Sequence, residues 1–190
     1  MRKAEFMAAV LAAFAAAAVN AAALEIISAA PLKTEKGKMS DFILSGSAAV
    51  RNVAFEKGAV LMPVTEYKDR EYTDIKLLSK SLYEKIEACF SKDKCAYAGK
   101  AASPVLSVLE VKPLKSKTRV ANVTLAFDGD LSVTFGVIKK VSGEIWAAYP
   151  SNFEVKDAAF KDLIEKKVKE GFENVSRADK KAGAGPAVKK

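Results

Sequence analysis

Histidine is absent from all 190 residues. Its absence removes the side chain that most often serves as a general base near neutral pH, and the commonest metal ligand. Cysteine occurs only at Cys89 and Cys95, so thiols and imidazoles cannot complete a four-ligand zinc site. Tryptophan occurs once, as Trp146. The glycines never gather into a phosphate-cradling loop, and no serine stands in a G-x-S-x-G setting. With no recognisable arrangement of nucleophile, base or metal ligands, the residues read as a protein that is not an enzyme and carries no cofactor. Asp128 and Asp130 flank Gly129 as turn residues rather than as paired catalytic carboxylates. Glu66, Asp69, Glu71 and Asp74 are interleaved with Lys68 and Arg70, which reads as a solvated loop and lacks the ordered spacing of a calcium loop.

What is present begins with a leader. Residues 1–23, MRKAEFMAAVLAAFAAAAVNAAA, open with Arg2 and Lys3, continue through an apolar run from Phe6 to Val19 and end in small residues. That is the three-part pattern of a secretory signal peptide, and the run is shorter than the roughly 20 apolar residues a spanning helix needs. The expectation is an exported, periplasmic or extracellular chain that is not an integral membrane protein once the leader is removed; an uncleaved anchoring helix is the alternative. In an oxidising compartment Cys89 and Cys95 would close a short disulfide, against the alternative of two inert thiols.

Net charge is +8. Residues 24–90 are balanced, with ten basic and ten acidic side chains, so the excess lies mainly in 91–104 and in the tail 173–190. Ser, Lys, Ala and Gly dominate 91–104, which reads as a linker. The tail SRADKKAGAGPAVKK lacks an apolar period and is expected to be disordered.

The chain also repeats itself. Pro31-Leu32-Lys33 and Pro113-Leu114-Lys115 match at a spacing of 82, and at the same spacing Leu78, Leu82, Ile86 and Phe90 fall on Phe160, Ile164, Val168 and Phe172. Pro63 matches Pro150 at a spacing of 87, which leaves the first copy longer after its Pro, by five residues on this count. In the second copy VLSVLEVK, VANVTLAF and LSVTFGVI read as strands, the last two joined through Asp128-Gly129-Asp130. Leu131, Val133, Phe135 and Val137 alternate with Ser132, Thr134, Gly136 and Ile138, so one face is buried. EIWAAY follows and ends at Pro150, and from Asp157 to Phe172 the apolar period becomes helical. The first copy runs through LEIISAA, MSDFILS, AAVRNVAFE and AVLM to a helix from about Asp74 to Phe90. The expected fold class is therefore α+β: two tandem repeats, 24–90 and 105–172, each a four-stranded antiparallel meander followed by one packing helix, two small units that gain stability by packing together.

The order strand, hairpin, Val50-Arg51-Asn52-Val53, an apolar strand ending Met62-Pro63, and the helix approach Tyr72-Thr73-Asp74-Ile75 resembles the stage V sporulation protein G (SpoVG) septation-regulator family. VLEVKPLKSKTRVANVTLAFDGDLSVTFGVIKK and Tyr149-Pro150-Ser151 fit the same frame, so the resemblance covers nearly all of 24–172. It implies a small α+β domain that pairs as a homodimer, binds nucleic acid and acts in septation and sporulation regulation, and by the same likeness the two repeats of this chain would stand in for the two subunits as an intramolecular pseudo-dimer. Family members carry basic residues after Met-Pro-Ser, whereas here Val64-Thr65-Glu66 follow Met62-Pro63 and Ser151-Asn152-Phe153 follow Tyr149-Pro150. Losing those cations weakens the main electrostatic source of nucleic-acid affinity.

Two groups remain as candidate contacts. Lys117, Arg119, Lys139 and Lys140 form the best local basic group, near strand ends, for an anion or nucleic acid; edge-strand solubility also accounts for them. Trp146 and Tyr149 lie on opposite faces of EIWAAY, so one belongs to the core and the other to an inter-repeat or partner surface, with base stacking as the other use. The expected function is an exported binding or scaffold protein whose partner is an envelope protein or an anionic polymer; the alternative is a nucleic-acid-binding regulator in the family's manner.

Overall fold

The computed structural model describes residues 23–34, 37–91, 95, 97–98 and 102–183. Among these residues the fold is α+β, with two five-stranded antiparallel sheets, a separate two-stranded hairpin and two α-helices. The leader expected over 1–23 lies outside the described residues except for its last position, as do residues 184–190 of the tail.

In the first sheet β1 (Ile26–Thr34), β2 (Gly37–Leu44), β3 (Ala48–Glu56) and β4 (Ala59–Leu61) pair in succession. Ser45-Gly46-Ser47 turns β2 into β3, and Lys57-Gly58 turns β3 into β4 with both residues at positive φ, the geometry that suits a two-residue hairpin. Gly46 also has to be small, because a Cβ there would lie 2.8 Å from Phe160 and Pro104. After Pro63 come β5 (Thr65–Tyr67) and β6 (Arg70–Tyr72), which pair only with each other. Then β7 (Ile75–Leu77) precedes α1 (Lys80–Ser91).

The second sheet takes β8 (Leu106–Pro113), β9 (Arg119–Phe127), β10 (Leu131–Lys139) and β11 (Ile145–Ala148), paired in succession. β12 (Phe153–Val155) and α2 (Ala158–Gly183) complete the chain. As the alternation predicted, Leu131, Val133, Phe135 and Val137 are all buried.

Two short strands leave the half of the chain that encodes them. β7 pairs with β10 from Leu131↔Leu77 to Val133↔Ile75, and β12 pairs with β3 from Val155↔Ala48 to Phe153↔Val50. Each sheet therefore contains a strand from the other half, which a meander closed within each half does not provide. The exchange also corrects the first helix, expected from Asp74. Ile75–Leu77 is a strand because its ladder partner lies far away in sequence, Leu78 is 46% exposed ahead of the helix, and the buried stripe is Leu82, Ile86 and Phe90. The tail expected to be disordered from 173 continues α2 to Gly183; Ser176 Oγ donates to the Phe172 carbonyl at 2.9 Å and Arg177 pairs with Glu173 at 3.1 Å.

One core runs through both sheets. Phe90 meets Phe42 edge-on and stacks on Phe55, tying α1 to the first sheet. Phe153 of β12 packs on Phe127 and Phe135 of the second sheet, and Phe127 also meets Phe160 of α2. The Cys89–Cys95 disulfide is formed, with a Cα separation of 4.2 Å. Just beyond it Ala98 N–H donates to the Ile26 carbonyl at 2.9 Å, so the bridge ties the end of α1 to chain lying against β1.

Candidate functional site

The face of the second sheet turned away from α2 carries the most chemistry. On β10 the residues alternating with the core are Ser132, Thr134, Gly136 and Ile138. The registers set Thr124 beside Thr134, Asn122 and Ala148 beside Gly136, and Arg119 and Trp146 on either side of Ile138. Paired residues share a face, so Arg119, Asn122 and Trp146 project on the same side. Lys112, which pairs with Asn122, joins them.

Arg119 is held in a defined place. Its Nε donates to Asn122 Oδ1 at 2.8 Å, and the guanidinium rests over Gly136, where a Cβ would lie 2.8 Å from Nε and 2.9 Å from Cζ. A side chain at 136 would occupy that seat. The terminal nitrogens point on without a protein partner among the described residues. Beside this group the Thr124 and Thr134 hydroxyls share a hydrogen bond at 3.0 Å.

The four predicted basic residues do gather at one end of this sheet, because Arg119 pairs with Ile138 and Lys139 N–H donates to the Thr118 carbonyl at 2.9 Å. They are not equivalent. Lys140 is neutralised by Glu144 at 2.8 Å, whose carboxyl that hydrogen bond and charge hold below its usual pKa. Strand alternation turns Lys139 away from the face that bears Arg119, and Lys117 lies in the turn between β8 and β9.

The aromatic pair divides as the alternation required. Trp146 is 42% exposed. Tyr149 is the inward member: its ring packs edge-on against Phe135 at 5.0 Å and stacks near Phe153, and its hydroxyl donates to the Lys161 carbonyl. Burial, then the nearby Glu165 and Asp162 carboxylates, push its phenol well above the ordinary range. Sequence reasoning missed Asn122 and Gly136, whose signal was a small residue facing a polar one on the exposed side of a predicted hairpin.

Asp128 and Asp130 serve the turn and the seams beside it. Asp128 Oδ1 accepts the Val105 N–H at 2.8 Å, and Asp130 Oδ2 accepts the Leu24 N–H at 2.7 Å. Burial raises the Asp128 pKa, the Val105 hydrogen bond lowers it, and Asp130 raises it further. Glu66, Asp69 and Glu71 lie on the β5–β6 hairpin with Lys68 and Arg70. Among the described residues no three His, Cys, Asp or Glu side chains converge as metal ligands, and no helix is long and apolar enough to cross a membrane.

No protein-family model, no curated protein and no solved structure matches this chain.

Proposed function

We propose that the protein is an exported, non-enzymatic binding module built from two fused SpoVG-like units, 24–90 and 105–172, which form an intramolecular pseudo-dimer. The observation that carries the reading is the reciprocal exchange of β7 and β12, because its hydrogen bonds come in matching pairs. Thr134 N–H donates to the Asp74 carbonyl as Arg51 N–H donates to Asn152, and Leu78 N–H donates to Asp130 as Lys156 N–H donates to Ser47. Glu25 N–H is capped by Ser45 Oγ as Val105 N–H is capped by Asp128 Oδ1. On this correspondence the helices match at a spacing of 78, Leu82 on Phe160, so the first unit is longer after its Pro by nine residues rather than five, and the β5–β6 hairpin occupies the difference. The disulfide agrees with an oxidising compartment.

Binding rather than catalysis fits a face where a fixed guanidinium, an amide, paired hydroxyls and an exposed indole are presented without a nucleophile or base. The test is fractionation of host cells, with the mature N-terminus read by mass spectrometry and thiols counted. A chain beginning near Ala22 or Leu24, outside the cytoplasm and without free thiol, supports the reading; an intact N-terminus in the cytosol with two free thiols overturns it. A nucleic-acid-binding regulator is the second reading, favoured by the placement of Lys117, Arg119 and Lys139 at one sheet end, although Lys139 and Arg119 take opposite faces. It requires affinity that falls steeply with salt.

A further inference from the structure

We propose that the outer face of the second sheet, exposed at Arg119, Lys112 and Trp146, binds a carboxylated polysaccharide, with a sugar ring laid on Trp146 and a carboxylate held by Arg119. The inference deepens the binding-module reading and rests on it.

Arg119 and Trp146 flank Ile138 from neighbouring strands, so their backbones are two strand spacings apart, roughly 10 Å. Because the guanidinium leans over β10 to Gly136, the cation and the indole border one shallow surface, a span the size of a saccharide unit. With Nε committed to Asn122, the two terminal nitrogens offer the parallel donors that suit a carboxylate. Thr124 and Thr134 line the surface with hydroxyls, and Lys112 continues the positive charge along the row that contains Asn122. Two acids border the same surface, Glu110 beside Thr124 and Asp74, whose carbonyl accepts the Thr134 N–H, while Lys76 beside Ser132 adds a further cation. A chain of acidic sugars meets complementary charge here, an apolar ring for its C–H face and hydroxyl partners for its own.

Two observations favour sugar over single-stranded nucleic acid. Platforms for nucleic acid stack successive bases on successive aromatics, whereas among the described strand residues paired on this face Trp146 is the only ring, its neighbours being Thr, Asn, Gly, Ala and Ile. The disulfide, in addition, fits a compartment where polysaccharide rather than nucleic acid is the abundant polyanion.

Trp146 is the only tryptophan in the chain, so its fluorescence reports this face alone. The full chain is titrated with polygalacturonate oligosaccharides, with neutral dextran and with a short oligothymidylate. The expected result is a saturable change in Trp146 emission with polygalacturonate and none with dextran. Arg119→Gln weakens that binding about tenfold or more, as loss of a charge-assisted hydrogen bond predicts. Gly136→Ala does the same by unseating the guanidinium while circular dichroism remains unchanged, since the three atoms nearest the added Cβ all belong to the movable end of Arg119. Lys166→Gln on α2 leaves binding intact. Emission that polygalacturonate does not move overturns the proposal, as does tighter binding of oligothymidylate, or binding by Arg119→Gln and Gly136→Ala that is undiminished from the parent's. Any of these results leaves the exported binding module standing; that reading fails separately, on a cytosolic chain with free thiols.

Discussion

At the scale of single residues, the β9–β10 turn couples stability to pH. Asp128 occupies a left-handed position, φ 50°, and its carboxylate is partly desolvated beside Asp130. Because its folded pKa is raised, the native state binds a proton more readily than the unfolded chain does. Its contribution therefore favours folding at low pH and declines as pH rises from the ordinary aspartate value, about 3.9, through the raised one. Asn tolerates the same φ and can still accept the Val105 N–H. Asp128→Asn is expected to gain stability relative to the parent as pH rises through that window, and urea midpoints at pH 4 and pH 7 measure it. A difference that stays constant between the two would show that the carboxylate is not strained by its surroundings. Asp128 and Asp130 were legible as turn formers, but their bonds to Val105 and Leu24 were not. A turn is encoded by adjacent residues, whereas those partners are brought up by the rest of the fold.

At the scale of elements, α1 shows how a helical pattern can overrun its helix. Leu78 is spaced four residues before Leu82 and so continues the apolar stripe on paper, but it stays exposed while Ile75–Leu77 joins a ladder with β10. No local property of Ile75-Lys76-Leu77 reveals that partner. The error at the other end of α2 has a different cause: past Phe172 the helix continues on backbone hydrogen bonds and the Glu173–Arg177 pair, without an apolar period. Two expectations follow for these elements. Replacing both Cys89 and Cys95 with Ser should lower stability by about 2 kcal/mol, the chain-entropy estimate for so short a loop, as read from denaturant unfolding with and without reductant. Excising residues 65–72 and bridging the gap with Gly should change stability by less than about 1 kcal/mol, because the β5–β6 hairpin pairs only with itself. Loss of cooperative unfolding in that variant would mean that the hairpin supports the core.

At the scale of the whole molecule, the strand content, the hairpins and the one-helix-per-half plan were legible because each rests on local period and turn chemistry. What the sequence hid was which sheet receives β7 and β12. Three-residue strands carry almost no pattern, and their placement is decided by Phe153 reaching Phe127 and Phe135 and by Ile75 entering the core. Since each half lacks one strand without the other, peptides 24–98 and 102–183 are each expected to be unfolded alone. Mixed in equal amounts they should recover the β-sheet circular dichroism of the intact chain. Cooperative folding of either peptide by itself would show that the exchange is dispensable.

The exchange of β7 and β12 also sets a timetable. A polypeptide emerging N-terminus first, from a ribosome or from a membrane pore, can assemble β1 to β4 early, yet the edge of β3 at Ala48–Val50 stays open until Phe153–Val155 arrives. About four-fifths of the chain must therefore be out before the first sheet can close. Until then the first sheet carries an unpaired row of backbone groups at Ala48–Val50, the kind of edge on which another strand can pair.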